Sequence, residues 1–99
     1  MRIKDIMKES HDRAVRKGFY APPPTIDQRF ALIHSEVSEA YEEHRKGMKP
    51  TEIYYVGSKP EGIPAECADI AIRLFDMCEY LGIDLEKAIR IIMTGLLPC

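Results

Sequence analysis

Two pairs of acidic residues are the part of this sequence whose types and spacing could do chemistry. Glu66 and Asp69 lie three residues apart in a run that otherwise has the apolar composition of a buried helix, and Glu36 and Glu39 repeat this spacing earlier in the chain. Residues three apart lie on the same face of a helix. A carboxylate that faces an apolar interior is costly unless it is paired, protonated or bound to a metal. Two helices that each carry such a pair could therefore form an oxygen-only cation site between them.

Oxygen ligands favour a hard cation, Mg²⁺ first and Mn²⁺ as a substitute. The Glu-x-x-His spacing of di-iron bundles is missing, because none of the three histidines, His11, His34 and His44, has a Glu three residues before it. Mg²⁺ held by carboxylates keeps several waters, binds phosphates and lowers the pKa of an attacking water. The pattern indicates attack of water on a metal-bound nucleotide. The spacing alone does not distinguish this site from acid pairs on a solvated helix.

Four predicted helices position these residues. The apolar period predicts helices over residues 3–17, from a cap at Thr25 or Asp27 to about Lys46, from Pro64 to about Leu81, and from a cap at Asp84 to Gly95. Residues 47–61 predict an irregular or strand-like flap that Lys59–Gly62 closes with a turn. The expected fold class is all-α: a single domain of residues 1–99 with four helices and one flap.

Composition limits the partners and the compartment. A net charge of -2 gives no general attraction to nucleic acid or to an anionic membrane. No run approaches the roughly 18 apolar residues of a membrane span, and no signal segment is recognisable. Three cysteines without a C-x-x-C spacing predict a reducing, cytoplasmic location, with Cys67 and Cys78 in the core. The 99 residues offer a thin core, which predicts burial against a second copy.

The third helix carries a polar stripe formed by Glu66, Asp69, Arg73, Asp76 and Tyr80 at spacings of three and four. Such a stripe is either a solvent face or, because the other positions are apolar nearly all round, one side of a heavily buried helix. On the second helix the apolar stripe runs from Ile26 to Tyr41, and Glu42 and Glu43 are expected to lie toward solvent.

The two acidic pairs, their order and their surroundings resemble the MazG-like family of all-α nucleoside triphosphate pyrophosphohydrolases. The family pattern is Glu-x-x-Glu on one helix, a loop, then Glu-x-x-Asp on the next, and the matching stretches are Leu32–Ala40 and Gly62–Ile70. The likeness extends from about Lys17 to Leu85. One position departs from the pattern, because many members have a further Glu directly before the first pair, where this chain has Ser35.

The resemblance implies Mg²⁺-dependent hydrolysis of a nucleoside triphosphate between its α and β phosphates, which gives a monophosphate and pyrophosphate. It also implies that the metal ligands and catalytic residues are Glu36, Glu39, Glu66 and Asp69, one of the first pair helping to orient or deprotonate the attacking water. Family members are typically homodimers or dimers of dimers. The implied role is nucleotide-pool cleaning or control.

Four more residues are candidates for substrate binding, each with a plainer alternative. Arg73 could meet a phosphate or pair with Asp69, and Lys59 could reach the triphosphate or stay uncommitted on the surface. Asp76 could support a metal or a ribose hydroxyl, or be solvated. Tyr20 could stack on a base or simply pack.

Two further alternatives for the function remain open from the sequence. Within the superfamily, a phosphoribosyl-ATP pyrophosphohydrolase or a dUTP-specific enzyme is possible, although the Gly62–Pro64 lead-in favours the MazG-like branch. In another class, the chain is a catalytically silent helical dimer, a binding module that keeps the acids as a structural metal site. An enzyme needs open coordination positions, whereas a structural site is closed by protein ligands.

Overall fold

A computed structural model describes residues 2–95 of the chain. These residues form four helices and one hairpin: α1 (Ile3–Arg16), α2 (Ile26–Arg45), β1 (Tyr54–Val56), β2 (Lys59–Glu61), α3 (Ile63–Leu81) and α4 (Leu85–Thr94). The mainly helical class and the four predicted helices are confirmed. The short apolar stretch Leu96–Cys99 that follows the fourth helix in the sequence lies outside the described residues. None of the described helices is both long and apolar enough to cross a membrane.

Side-chain caps fix where α2 and α4 begin. The backbone N–H of Gln28 donates to Thr25 Oγ1 at 3.1 Å, and Gln28 Oε1 accepts from the Thr25 backbone N–H at 2.9 Å. This reciprocal capping box selects Thr25 over Asp27 as the cap. At α4, Asp84 Oδ1 accepts from the Lys87 backbone N–H at 3.0 Å, and Gly95 ends the helix with a left-handed φ of 69°.

The predicted flap, expected to be irregular or strand-like, contains an ordered two-stranded hairpin, so the strand-like alternative is confirmed for Tyr54–Val56. Strands β1 and β2 pair antiparallel, with Tyr54 opposite Glu61 and Val56 opposite Lys59. The predicted turn at Lys59–Gly62 is therefore wrong, because three of its four residues form β2. The chain changes direction at Gly62, whose φ of 112° is one that residues with a Cβ rarely adopt.

The chain divides into two compact units, which we describe separately. The first contains α1, the loop to Pro23, the part of α3 from Phe75 onward, and α4. All four buried apolar side chains of the described chain are in this unit: Met7, Ala14, Met77 and Cys78. Helix α4 packs against α1, although its Ile92 and Met93 are largely exposed. Whether the chain is a single domain stays a prediction.

The second unit, Pro24–Leu74, contains α2, the hairpin and the N-terminal part of α3. Its buried side chains are charged ones: Arg29, Glu36, Glu43 and Glu66. Meanwhile the apolar stripe of α2, represented by Ile26, Phe30, Val37 and Tyr41, is 49 to 60% exposed. Charge lies inside and apolar surface outside, which is the reverse of an ordinary amphipathic helix.

Two of the sequence expectations about burial are wrong. Cys67, expected in the core, is exposed, whereas Cys78 is buried as predicted. The reason is local, since Cys67 directly follows the buried Glu66 on α3 and one residue turns a helix by about 100°. Glu43, expected to lie toward solvent, is only 5% exposed. It follows Glu36 by seven residues, which is nearly two full turns, and so returns to the buried face.

Candidate metal centre

Three acidic side chains of the second unit converge. Glu36 and Glu39 on α2 and Glu66 in the first turn of α3 each offer an oxygen, and these oxygens lie within 4.8 Å of one another. Glu36 and Glu66 are 8% and 6% exposed, while Glu39 is solvent-accessible. The cluster therefore has two ligands fixed by burial and one at an open side. An oxygen-only set of this kind matches the preference of hard divalent cations.

Asp69, the fourth predicted ligand, stands apart from this cluster. Among the described residues it joins no group of three potential ligands within 4.8 Å. It follows Glu66 by three residues on α3, about one turn further along the helix. Its negative charge nevertheless contributes to the raised pKa of Glu66, so the two carboxyl groups are electrostatically coupled.

The ionised form of Glu66 is unfavourable at this site. Burial raises its pKa from the ordinary 4.5 to about 7, and the neighbouring Glu39 and Asp69 are the next largest causes. Its Oε2 is buried and has no hydrogen-bond partner among the described residues. Buried carboxyl oxygens normally accept a hydrogen bond or bind a cation, because the unsatisfied atom costs about 1–3 kcal/mol. The residues present therefore fit a bound divalent cation.

Arg73 joins α3 to α2 at this cluster. Its Nε donates to Glu36 Oε1 at 2.7 Å. Spacing on one helix suggested Asp69 as the neighbour, and the partner on α2 was missed because it lies 37 positions away in sequence. The guanidinium holds one oxygen of Glu36 and offsets part of the negative charge, so it orients this carboxylate within the cluster.

Asp76 and Tyr20 meet in the first unit. The Tyr20 hydroxyl donates to Asp76 Oδ1 at 2.7 Å, and His11 Nδ1 lies 2.9 Å from the same oxygen. The Tyr20 ring stands edge-on to His11, with 4.8 Å between ring centroids, and lies 5.0 Å from the ring of Tyr80. The Asp76 side chain is only 17% exposed, so the solvated alternative for this residue is wrong.

His11 belongs to this group, although the sequence assigned it no role. No local pattern could have found it, because 65 positions separate it from Asp76. The rings of His11, Tyr20 and Tyr80 pack together, and Asp76 Oδ1 contacts both the Tyr20 hydroxyl and the His11 ring. A role in substrate binding for Asp76 or Tyr20 stays a prediction.

Lys59 lies on β2, where its ammonium pairs with Glu61 Oε1 at 3.2 Å. Its side chain is exposed, so this ion pair contributes little to stability. The hydrogen bond and the charge of Glu61 raise the pKa of Lys59, and Glu66 and Glu39 add to this effect. Lys59 is therefore an exposed positive charge that interacts with these carboxylates, and its role in binding a triphosphate stays a prediction.

A second group of acids extends from Glu66 toward the hairpin. Glu43, Glu61 and Glu66 also offer oxygens within 4.8 Å of one another. The Tyr54 hydroxyl lies 3.0 Å from both oxygens of Glu43, and Lys46 Nζ lies 3.5 Å from its Oε1. Burial and the Glu43 carboxylate raise the pKa of Tyr54, so the hydroxyl stays protonated and donates. The signal for Glu43 in the sequence is its spacing of seven residues from Glu36, which returns it to the same face of α2.

Comparison of the chain with models of protein families, with characterised proteins and with solved structures finds no match. What bears on function is therefore the convergence of Glu36, Glu39 and Glu66 and the spacing of the two acidic pairs.

Proposed function

We propose that this protein is a Mg²⁺-dependent nucleoside triphosphate pyrophosphohydrolase of the MazG-like type. The observation that carries the proposal is Glu66, a buried carboxyl group with an unsatisfied oxygen that faces two further carboxylates from another helix. Such an arrangement is unfavourable for the metal-free protein and is relieved by a divalent cation. The cation expected is Mg²⁺, with Mn²⁺ as a substitute.

The proposed ligands are Glu36, Glu39 and Glu66, with Asp69 contributing from the next turn of α3. Mg²⁺ bound there supplies charge neutralisation for the triphosphate and acidifies a water. The chain's own groups do the rest. Glu39 is the solvent-accessible carboxylate of the three, and we assign it the role of accepting a proton from a water. Arg73 holds Glu36 in its orientation by the 2.7 Å hydrogen bond. Lys59, exposed beside the acids, is the candidate group for the phosphate tail.

The exposed stripe of α2 supports assembly into a homodimer or a dimer of dimers. Ile26, Phe30, Ile33, Val37 and Ala40 alternate at spacings of four and three. That spacing is the heptad seam along which helices pair. A helix that buries Glu36 and exposes this seam gains its apolar burial from a second copy, which would complete a MazG-like four-helix bundle. The expected setting is the cytoplasm, in nucleotide-pool cleaning or control.

The test is pyrophosphate release from a panel of ribo- and deoxyribonucleoside triphosphates, with Mg²⁺ and with a chelator. Glu66→Gln keeps the side-chain volume but removes the charge, and we expect it to lower the rate at least about 100-fold, since losing even an indirect metal contact costs 10–100-fold. Glu42→Gln is the matched control, because Glu42 lies exposed on α2 and pairs only with a neighbouring arginine in the described contacts. Its rate should equal that of the wild type.

Two outcomes would overturn the proposal. The first is a folded protein that binds Mg²⁺ and releases pyrophosphate from none of the triphosphates, which would leave the silent helical dimer with a structural metal site. The second is release that survives both the chelator and Glu66→Gln. The accompanying product must be a nucleoside monophosphate, because cleavage elsewhere in the triphosphate would give a diphosphate.

A further inference from the structure

The hairpin presents one of its two faces to the helices of its unit. Tyr54 on β1 lies directly opposite Glu61 on β2, and residues opposite each other in an antiparallel pair project from the same face. Both are half-buried, because Tyr54 contacts Glu43 on α2 and Glu61 approaches Glu66 on α3. Tyr55, the next residue of β1, projects from the other face and is 66% exposed. The face that carries Tyr54 is therefore the one that packs against the helices.

The backbone pairing of the hairpin is too short to hold the strands in place by itself. Each strand has three residues, and Pro60 in the middle of β2 has no N–H to donate. The Tyr54 hydroxyl, however, lies 3.0 Å from both oxygens of Glu43, which is only 5% exposed. A hydrogen bond to a charged acceptor is stronger than one between neutral groups. This hydrogen bond therefore fastens β1 to α2.

The second strand carries a positive charge on this same face. Lys59 and Glu61 are two residues apart on β2, so their side chains leave the strand on one side, and Lys59 Nζ lies 3.2 Å from Glu61 Oε1. The negative charges of Glu66 and Glu39 also help to raise the pKa of Lys59, so its ammonium is within electrostatic reach of the carboxylate cluster. Its side chain is 73% exposed, and an exposed ion pair is weak. A phosphate group can therefore take the place of Glu61.

We propose that Tyr54 is a positioning residue for triphosphate binding, because its hydroxyl fastens β1 to Glu43 and thereby holds Lys59 on the paired strand beside the carboxylate cluster. The identity of the ligand rests on the proposed function, whereas the link from Tyr54 to Lys59 rests on the register of the hairpin. A binding group that is already held in place loses less entropy when the ligand arrives. Tyr54 contributes no oxygen to the cluster of Glu36, Glu39 and Glu66, so its loss should weaken binding without slowing the chemical step.

The experiment is a double-mutant cycle of Tyr54→Phe and Lys59→Ala in the full chain at saturating Mg²⁺. Calorimetry gives the Kd of inorganic triphosphate, and pyrophosphate release from nucleoside triphosphates gives KM and kcat. Tyr54→Phe should raise Kd and KM about tenfold, as expected for a lost hydrogen bond to a charged group, and leave kcat unchanged. Added to Lys59→Ala, it should raise Kd no further, because it acts through Lys59. Tyr55→Phe is the matched control, since it removes a hydroxyl from the exposed face, and it should bind like the wild type.

The outcomes separate this proposal from the proposed function. An unchanged Kd in Tyr54→Phe, or an effect that persists in full in the Lys59→Ala chain, would overturn the role of Tyr54 and leave pyrophosphate release untouched. The expected cycle for inorganic triphosphate, with no pyrophosphate release by the wild type, would support the role of Tyr54 and overturn the proposed function. A wild type that binds no triphosphate would overturn both. Circular dichroism checks the folding of each variant. If Tyr54→Phe fails to fold, Glu43→Gln weakens the same hydrogen bond from the acceptor side and should raise Kd in the same direction.

Discussion

The titration of Glu66 should lower the stability of the metal-free protein as pH rises. Its pKa rises from 4.5 to about 7 on folding, chiefly because the carboxyl group is buried. A folded state with the higher pKa binds the proton more tightly than the unfolded chain, so the stability is fully present below pH 4.5 and is lost as pH increases through about 7. The shift corresponds to a loss on the order of 3 kcal/mol, at about 1.4 kcal/mol per unit.

The perturbation that isolates this effect is Glu66→Gln. Glutamine has the same shape and stays neutral at every pH, so the variant lacks the loss. Urea unfolding followed by circular dichroism, in the presence of a chelator, gives the free energy of unfolding on both sides of the window between pH 4.5 and about 7. The difference between variant and wild type is the informative quantity, because the titration of all other groups largely cancels in it.

We expect this difference to grow by on the order of 3 kcal/mol in favour of Glu66→Gln as pH rises through the window. Glu39→Gln is the graded control, because the charge of Glu39 is the second cause of the raised pKa. That variant should shift the window to lower pH without abolishing it. A difference between Glu66→Gln and wild type that is the same at both ends of the window would refute the reasoning, since the buried ionised carboxylate would then cost nothing.

The remaining predictions concern the cation, the hairpin and its anchor. Below pH 7, Mg²⁺ binding should release a proton from Glu66, which calorimetry in buffers of different ionisation enthalpy detects; heat independent of the buffer would contradict this. Gly62→Ala should lower the free energy of unfolding, measured by thermal unfolding, by about 2 kcal/mol or more, because a Cβ there meets the Glu52 carbonyl oxygen and the positive φ is strained for alanine. Gly57→Ala is the control and should cost less, because its φ is also positive but no atom obstructs the Cβ. Tyr54→Phe removes the hydroxyl from buried Glu43 and should cost about 1–3 kcal/mol in urea unfolding; an unchanged midpoint would contradict this.

The elements of this fold are readable from the sequence because their signals are local. The helical period and the capping residues Thr25 and Asp84 lie within a few positions of the helix ends that they determine. The acidic pairs are readable for the same reason, since Glu36 and Glu39, like Glu66 and Asp69, are one turn apart. The contact of Glu66 with the first pair was predicted on the further hypothesis that the two helices turn their acidic faces toward each other.

The partners of the charged groups were not readable, because they are distant in sequence. Arg73 bonds to Glu36 and His11 to Asp76, and nothing in the spacing of one helix specifies a residue on another. Glu43 shows a second limit. A helical period identifies faces but does not say which face is buried, and on α2 the charged face is the buried one. Hydrophobicity alone therefore predicts the wrong face of α2 as the buried one.

The hairpin has a consequence for how the protein responds to protease. Strands of three residues are marginal by themselves, so β1 and β2 depend on what anchors them. The Tyr54 hydroxyl on Glu43 is such an anchor, and Glu61 approaches the buried Glu66. A cation bound at the buried Glu66 would offset the negative charge that faces Glu61 on the second strand. Protease cleavage within residues 47–61 should then slow when divalent ions are added. The cleavage rate of this segment would therefore report whether the metal centre is occupied.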